Sequence, residues 1–279
     1  MSFVIADFIS KQGNVRKTME DGFINKSFIV SEHKSCHVFG VLDGHGGDDV
    51  MRWLRQYIPS YVRDTILHHD CDWTHMCLSM NKQIRLLGTK AGSTMSLVIV
   101  IVNLLEKNYR MCLVNVGDSA IAGSTHCMNH PWKNRCRTCL ATHDRLTTSH
   151  DLTNPEERRR FKKQSKLSIW RKEYITNGHT RLNMTRAFGD FELGDFVQPI
   201  PEIIYVEKPL CFITLASDGI WDVLTPREIA NVSQNQCNST DSSGLNTCLI
   251  KQRDMEPQHD NYTMGVLFFD TSKSVPWHS

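Results

Sequence analysis

Four aspartates stand where apolar, strand-like runs end or begin. The runs 38–42, 111–116 and 212–216 lead into Asp43, Gly117-Asp118 and Ser217-Asp218, and Asp260 stands just before the run 262–269. Strand ends from distant parts of a chain can converge on one cleft, and converging carboxylates repel one another unless they are protonated or share cations. Oxygen-only ligation favours hard ions such as Mg2+ or Mn2+ over zinc. Two such ions side by side make a hydrolytic site for phosphate esters.

The elements that must position these residues are patterned clearly. Beyond Asp43, the residues Val50, Trp53, Leu54, Tyr57, Ile58, Tyr61 and Val62 recur at three- and four-residue steps, the signature of an amphipathic helix with Asp48 and Asp49 at its positive end. A second helix is expected over about 72–87, closed by Gly88. Thr225-Pro226-Arg227-Glu228 carries the capping pattern that opens a third. β-rich runs lie at 38–42, 94–102, 109–116, 202–206, 212–216 and 262–269. Strands and helices come in blocks rather than in strict alternation, so an α+β sheet sandwich is favoured over a doubly wound parallel sheet. The Cys/His-rich segment 124–139 and the polar segment 233–258 carry neither period, and the latter reads as a surface loop.

A chain of 279 residues can bury a substantial core and demands no more than one domain, 1–279. An apolar fraction of 40% with 22% charged residues sets aside disordered and fibrous classes. A net charge of +2 gives no pull towards nucleic acid or membrane. The longest apolar stretch, 97–102 with Leu104-Leu105 beyond it, falls far short of a bilayer span. Residues 1–13 lack a basic then apolar leader, so the expectation is a cytoplasmic or nuclear chain whose cysteines remain thiols. Arg158-Arg159-Arg160 with Lys162-Lys163 has the composition of a nuclear import signal. Asn154-Pro155-Glu156-Glu157 just upstream opens a helix, which makes a solvated helix face the stronger reading.

Seven motifs then occur in order: Arg16-Lys17-Thr18-Met19-Glu20-Asp21, Asp43-Gly44-His45-Gly46-Gly47, Gly92-Ser93-Thr94, Asn115-Val116-Gly117-Asp118-Ser119, Thr185-Arg186-Ala187-Phe188-Gly189-Asp190, Ser217-Asp218-Gly219-Ile220-Trp221-Asp222 and Asp260-Asn261. Each alone is weak, since an isolated Asp-Gly is usually a turn. As an ordered set spanning Arg16 to about Phe269, the chain resembles the metal-dependent serine/threonine protein phosphatases of type 2C, the PPM family.

That resemblance implies a four-layer α-β-β-α sandwich of two antiparallel sheets flanked by helices, with a binuclear Mn2+ or Mg2+ centre at one end. By position, Asp43 resembles the carboxylate bridging both ions, the Gly44 carbonyl a backbone ligand, and Asp218 and Asp260 ligands of one ion. Asp21 resembles a carboxylate that holds metal-bound water, with Glu20 beside it. Asp118 and Asp222, with Asp218, resemble a weaker third-metal site. The implied reaction is hydrolysis of phosphoserine or phosphothreonine in protein substrates by a hydroxide bridging the metals, carried out by a monomer.

The residue types suit this chemistry. Arg16 offers a planar fork for phosphoryl oxygens, and His45 can protonate the departing seryl or threonyl oxygen. Their bland alternatives are a surface salt bridge and a helix-capping histidine. Arg186 and Asp190 read as structural, tying a loop to the sheet. Cys127, His130, Cys136 and Cys139 have spacing compatible with a zinc staple in an insertion, against a default of unligated thiols. A substrate-selecting flap is expected over 156–178. Three departures from the family pattern stand out: Ala120 where Arg is usual, Ser149 where Asp is usual, and no long apolar helix before Asp260-Asn261. They motivate a rival reading, a catalytically silent phosphatase-like binding protein. A phosphodiesterase or nuclease would need a basic groove, which the near-neutral charge does not supply.

Overall fold

The computed structural model describes residues 4–106, 108–125, 143–163, 167–171, 173–207, 210–236 and 260–269. The N-terminal elements are β1 (Val4–Lys11), β2 (Gly22–Ser31), β3 (Lys34–Leu42), β4 (Gly44–His45), α1 (Asp49–His68), α2 (Trp73–Arg85) and β5 (Gly92–Ser93). Then come β6 (Met95–Asn103), β7 (Asn108–Val116), β8 (Ala120–Thr125), β9 (Asp144–Arg145), α3 (Pro155–Phe161), β10 (Ser168–Trp170), β11 (Tyr174–Thr176), β12 (Arg181–Leu182) and β13 (Phe188–Gly189). A 3-10 turn at Phe191–Phe196 precedes β14 (Glu202–Tyr205), β15 (Leu210–Ala216), α4 (Asp218–Trp221), α5 (Pro226–Gln236) and β16 (Tyr262–Phe269).

The long strands form two five-stranded sheets in the orders β14-β7-β6-β3-β2 and β1-β16-β15-β8-β9, with antiparallel pairing throughout. β6 lies at the centre of the first sheet. Its run of β-branched and aliphatic residues is buried on both faces, as a strand covered from two sides requires.

Layering follows from which side chains meet. Phe39, Val41, Val98, Val100 and Leu113 of the first sheet pack on Ile121, Ile213, Leu215 and Leu267 of the second. The outer face of the first sheet, including Ile24, Val38, Leu97 and Val114, is covered by Val50, Leu54, Ile58 and Val62 of α1 and by Trp73, Met76 and Met80 of α2. On the far side, Ile220, Trp221, Ile229 and Ala230 of α4 and α5 pack on Phe212, Tyr262, Met264 and Val266. The fold is therefore the α-β-β-α sandwich expected. No helix among the described residues is long and apolar enough to cross a membrane.

Helix boundaries obey local chemistry. Asp72 Oδ1 accepts from the His75 amide at 2.9 Å to start α2, which ends at Arg85, short of the expected Leu87. Asn154 accepts from the Glu156 amide, with Pro155 in the first turn of α3. Thr225 and Glu228 form a reciprocal capping box, Thr225 N to Glu228 Oε2 at 2.8 Å and Glu228 N to Thr225 Oγ1 at 3.3 Å. Two three-stranded sheets, β10-β11-β12 and β13-β5-β4, are too short to leave a period in the sequence. The second is what joins the Asp43-Gly44-His45 turn to the loop ending at Asp190.

Candidate active site

Each carboxylate reaches the site from a different strand end. Asp21 precedes β2, Asp43 follows β3, Asp118 lies between β7 and β8, Asp218 opens α4 after β15, and Asp260 precedes β16. Withdrawal from water raises the pKa values of Asp21, Asp43, Asp118 and Asp218, and the neighbouring negative charges raise them further. Asp21, besides burial, feels Asp218 and Asp260 and is pushed up to about 7. Asp118 is likewise pushed up to about 7 by burial and by Asp218. Asp43 rises well above the carboxylate range through burial and then through the charges of Asp218, Asp21 and Asp118. Exposed Asp222 acts on Asp218 from the rim. Glu20 is half-buried, accepts from Thr18 Oγ1 at 3.3 Å, and adds its field at Arg16 and His45.

Hydroxyl and amide side chains fix these carboxylates. Ser217 Oγ donates to Asp21 Oδ2 at 2.8 Å while accepting from the Thr263 amide at 3.0 Å. The Asp43 amide donates to Thr94 Oγ1 at 3.2 Å, and Thr94 Oγ1 lies 2.7 Å from Ser119 Oγ, so the Asp43 and Asp118 turns are tied together. Asn261 accepts from the Gly13 amide at 3.1 Å and donates to the Thr18 carbonyl at 2.9 Å, holding the loop between β1 and β2 that carries Arg16 and Asp21. A Cβ at Gly44 would overlap the Glu20 carbonyl, so only glycine lets those two segments approach.

Arg16 makes a bidentate pair with Asp260, Nε to Oδ1 and Nη2 to Oδ2 both at 2.5 Å. Its side chain stays 47% exposed, open to a further oxyanion. His45 Nε2 lies 2.7 Å from Asp190 Oδ2. Burial opposes charge on the ring, but the Asp190 charge and hydrogen bond outweigh it and the His45 pKa is raised. Asp190 thus also holds the His45 ring. Arg186 keeps the structural place expected of it, bonding Glu157 and the Ile200 carbonyl. The only sequence signal for the pairing of Asp190 with His45, 145 positions apart, is that each lies in one of the ordered motifs.

A cavity of about 560 Å³ opens beside the carboxylates, lined by Asp118, Asp218 and Asp222 together with Arg145, Asp151, Glu173, Tyr174 and Trp221. The Arg145 guanidinium stands 5.2 Å from the Trp221 ring centre. Ala120 is fully buried in the cluster beneath Trp221, whose Nε1 donates to the Ala120 carbonyl at 3.2 Å, so apolar packing occupies the place of the usual arginine. Ser149 donates to Asp151. Cys127, His130, Cys136 and Cys139 lie outside the described residues, as does 237–259, most of the polar segment.

Among the described residues, no three Asp, Glu, His or Cys side chains stand ready to ligate one ion. The Asp218 charge bears directly on Asp43, and Arg16 covers Asp260. The donor set nevertheless fits hard divalent cations. It is made of oxygens, its carboxylates are crowded and drawn out of water, and Asp118 Oδ1 is buried without a protein partner among the described residues.

Comparison with known proteins agrees with this geometry. The family model for protein phosphatase 2C matches residues 6–253. The chain is 27% identical over 269 residues to probable protein phosphatase 2C 71 of Arabidopsis thaliana, covering 93% of this chain and 54% of that one. It spans about half the length of the curated relatives it matches. Among solved structures, a C. elegans sex determining protein superposes with a TM-score of 0.75 at 20% identity, covering 96% of this chain and 65% of the other. The serine-threonine phosphatase 2C of Toxoplasma gondii superposes with a TM-score of 0.64 at 20% identity, covering 95% and 94%. With the family model running through nearly all of the motifs that build the site, the chain belongs to the protein phosphatase 2C family.

Proposed function

We propose that the chain is a Mn2+- or Mg2+-dependent protein serine/threonine phosphatase, one catalytic domain over 1–279 that acts as a monomer on phosphoproteins in the cytoplasm or nucleus. The observation that carries the reading is the crowding of Asp21, Asp43, Asp118 and Asp218 in a site withdrawn from water, at a cost that bound cations would remove. Asp43, the Gly44 carbonyl, Asp21, Glu20, Asp218 and Asp260 would hold two ions, and Asp118 and Asp222 with Asp218 a third. Hard cations at these oxygens supply an activated water as the nucleophile and neutralise charge on the phosphoryl group.

The chain's own residues do the rest. Arg16 keeps part of its fork exposed while paired with Asp260, so it can orient two phosphoryl oxygens without an unpaired charge between turnovers. His45 delivers a proton to the departing seryl or threonyl oxygen. The cavity beside Asp118 and Asp218, flanked by Tyr174 and Glu173, receives the residues around the phosphorylated side chain, and 156–178 serves as the substrate-selecting flap.

Activity on a phosphothreonine peptide is expected to vanish with EDTA, return with Mn2+, and be abolished in Asp43→Asn and Asp218→Asn. Turnover that survives chelation contradicts the reading. The silent-binder alternative is motivated by Ala120 and Ser149, which stand where the family pattern carries Arg and Asp. Calorimetry with Mn2+ separates the two: tight ion binding without turnover on any phosphoprotein selects the binder.

A further inference from the structure

We propose that Asp190 is the positioning residue for His45: it holds the imidazole with Nε2 towards itself, so that Nδ1 is the nitrogen presented to the departing oxygen of the substrate. This rests on the phosphatase reading above. Four observations carry it.

The pair is short, 2.7 Å, and enclosed, with the Asp190 side chain 5% exposed and that of His45 19%. Its room is made by a missing side chain. In the β13-β5-β4 sheet Gly92 faces both His45 and Gly189, and a Cβ at Gly92 would overlap Asp190 Oδ2 and His45 Nε2 together. Asp190 adopts a left-handed backbone, φ 49 and ψ 33, directly after Gly189 at φ 80. A residue with a Cβ is uncommon in that region, and Asp is one of the few that enter it when neighbouring contacts hold them there. The enforcement is visible: the Gly189 amide donates to Asn81 Oδ1 at 2.9 Å, and the Asp190 carbonyl accepts from the Leu193 amide at 2.9 Å. Finally, His45 Nδ1 is buried and without a partner among the described residues. The ring is thus fixed through Nε2 alone, and Nδ1 is the nitrogen left to serve a substrate oxygen.

The step balances simply. The bond from Nδ1 to its proton breaks as the departing oxygen takes that proton and its bond to phosphorus breaks. The neutral ring keeps the Nε2 proton, still donated to Asp190.

The test compares wild type, Asp190→Ala and Asp190→Asn on two substrates. A phosphothreonine peptide releases an alkoxide that needs a proton, whereas p-nitrophenyl phosphate releases a stable anion. In Asp190→Ala, kcat on the peptide is expected to fall at least about tenfold more than kcat on p-nitrophenyl phosphate, with KM little changed. Asp190→Asn, whose amide oxygen still accepts from Nε2, should fall between. Histidine-selective 15N NMR of the chelator-treated protein supplies a readout free of turnover: a protected Nε2 proton on His45 in wild type, lost in Asp190→Ala. Equal losses on both substrates, or an Nε2 signal that is absent in wild type or indifferent to the substitution, overturn the proposal. Should wild type prove inactive on both substrates, the phosphatase reading fails, and the NMR comparison still decides whether Asp190 holds the ring.

Discussion

Asp118→Asn should stabilise the metal-free protein at alkaline pH. The Asp118 carboxyl is withdrawn from water, faces Asp218, and has its pKa pushed from 3.8 to about 7. Because the folded state holds this proton more tightly than the unfolded state, stability is greatest below the unfolded pKa and is lost as pH rises through about 7. At 1.36 kcal/mol per pH unit the whole displacement sets a ceiling of ~4 kcal/mol; sharing of the repulsion with Asp218 reduces the part that belongs to Asp118 alone to about 2 kcal/mol. Asn has nearly the same shape and cannot ionise. In EDTA, the variant should therefore match wild type near pH 3, below the unfolded pKa, and exceed it by about 2 kcal/mol at pH 8, roughly 3–4 °C in Tm. Urea denaturation across that range measures the difference, and the comparison between variants cancels contributions from titrating groups that do not face Asp118. Excess Mn2+ should reverse the order, since wild type gains binding free energy that the variant partly forfeits. A variant no more stable than wild type at pH 8 in EDTA would refute the claim that these carboxylates are frustrated without cations.

Glu157 is 1% exposed and bonded by Arg160 Nη2 at 2.8 Å, Arg186 Nε at 3.0 Å and Thr185 Oγ1 at 2.5 Å, and although burial opposes it these partners hold its pKa down at about 2. Glu157→Gln leaves two guanidiniums unbalanced and should cost about 3–5 kcal/mol by chemical denaturation; a loss under about 1 kcal/mol would contradict this account. Buried His143, with Nδ1 2.8 Å from Ser124 Oγ, has its pKa lowered to about 4 by burial. The unfolded state then binds the extra proton between about pH 6.5 and 4, so stability falls as pH drops through that window. Relative to His143→Gln, wild type should lose about 2 kcal/mol between pH 7 and pH 5, and parallel pH profiles would exclude the effect. Thr225→Ala removes one side of the capping box that starts α5 and should cost about 1 kcal/mol; an unchanged denaturation midpoint would show that tertiary packing alone starts the helix.

Features written in short stretches of chain were readable in advance. The α1 stripe, the caps at Asn154 and Thr225, and the runs that became β3, β6, β7, β15 and β16 depend on neighbours within a few residues, so pattern and propensity report them. The motifs also named the carboxylates that meet, because each sits at a strand end. The short β13-β5-β4 sheet was not readable, since two-residue strands have no period. Nor was the inward turn of half-buried Arg160, which the basic run 158–163 suggested would lie on a solvated face; Arg158 and Arg159 are exposed, while Arg160 reaches Glu157 and the Phe196 carbonyl.

By itself, then, the amino-acid order determined which faces are apolar, where helices start, and that acidic groups gather at strand ends. Only the tertiary structure decided who meets whom. Asp190 with His45 and Arg16 with Asp260 are partners separated by 145 and 244 positions, and sheet registers and the space left by Gly92 bring or admit such pairs. Side-chain periodicity records burial along one element, whereas a partner is chosen by the packing of several elements at once, and that choice leaves no local trace in the chain.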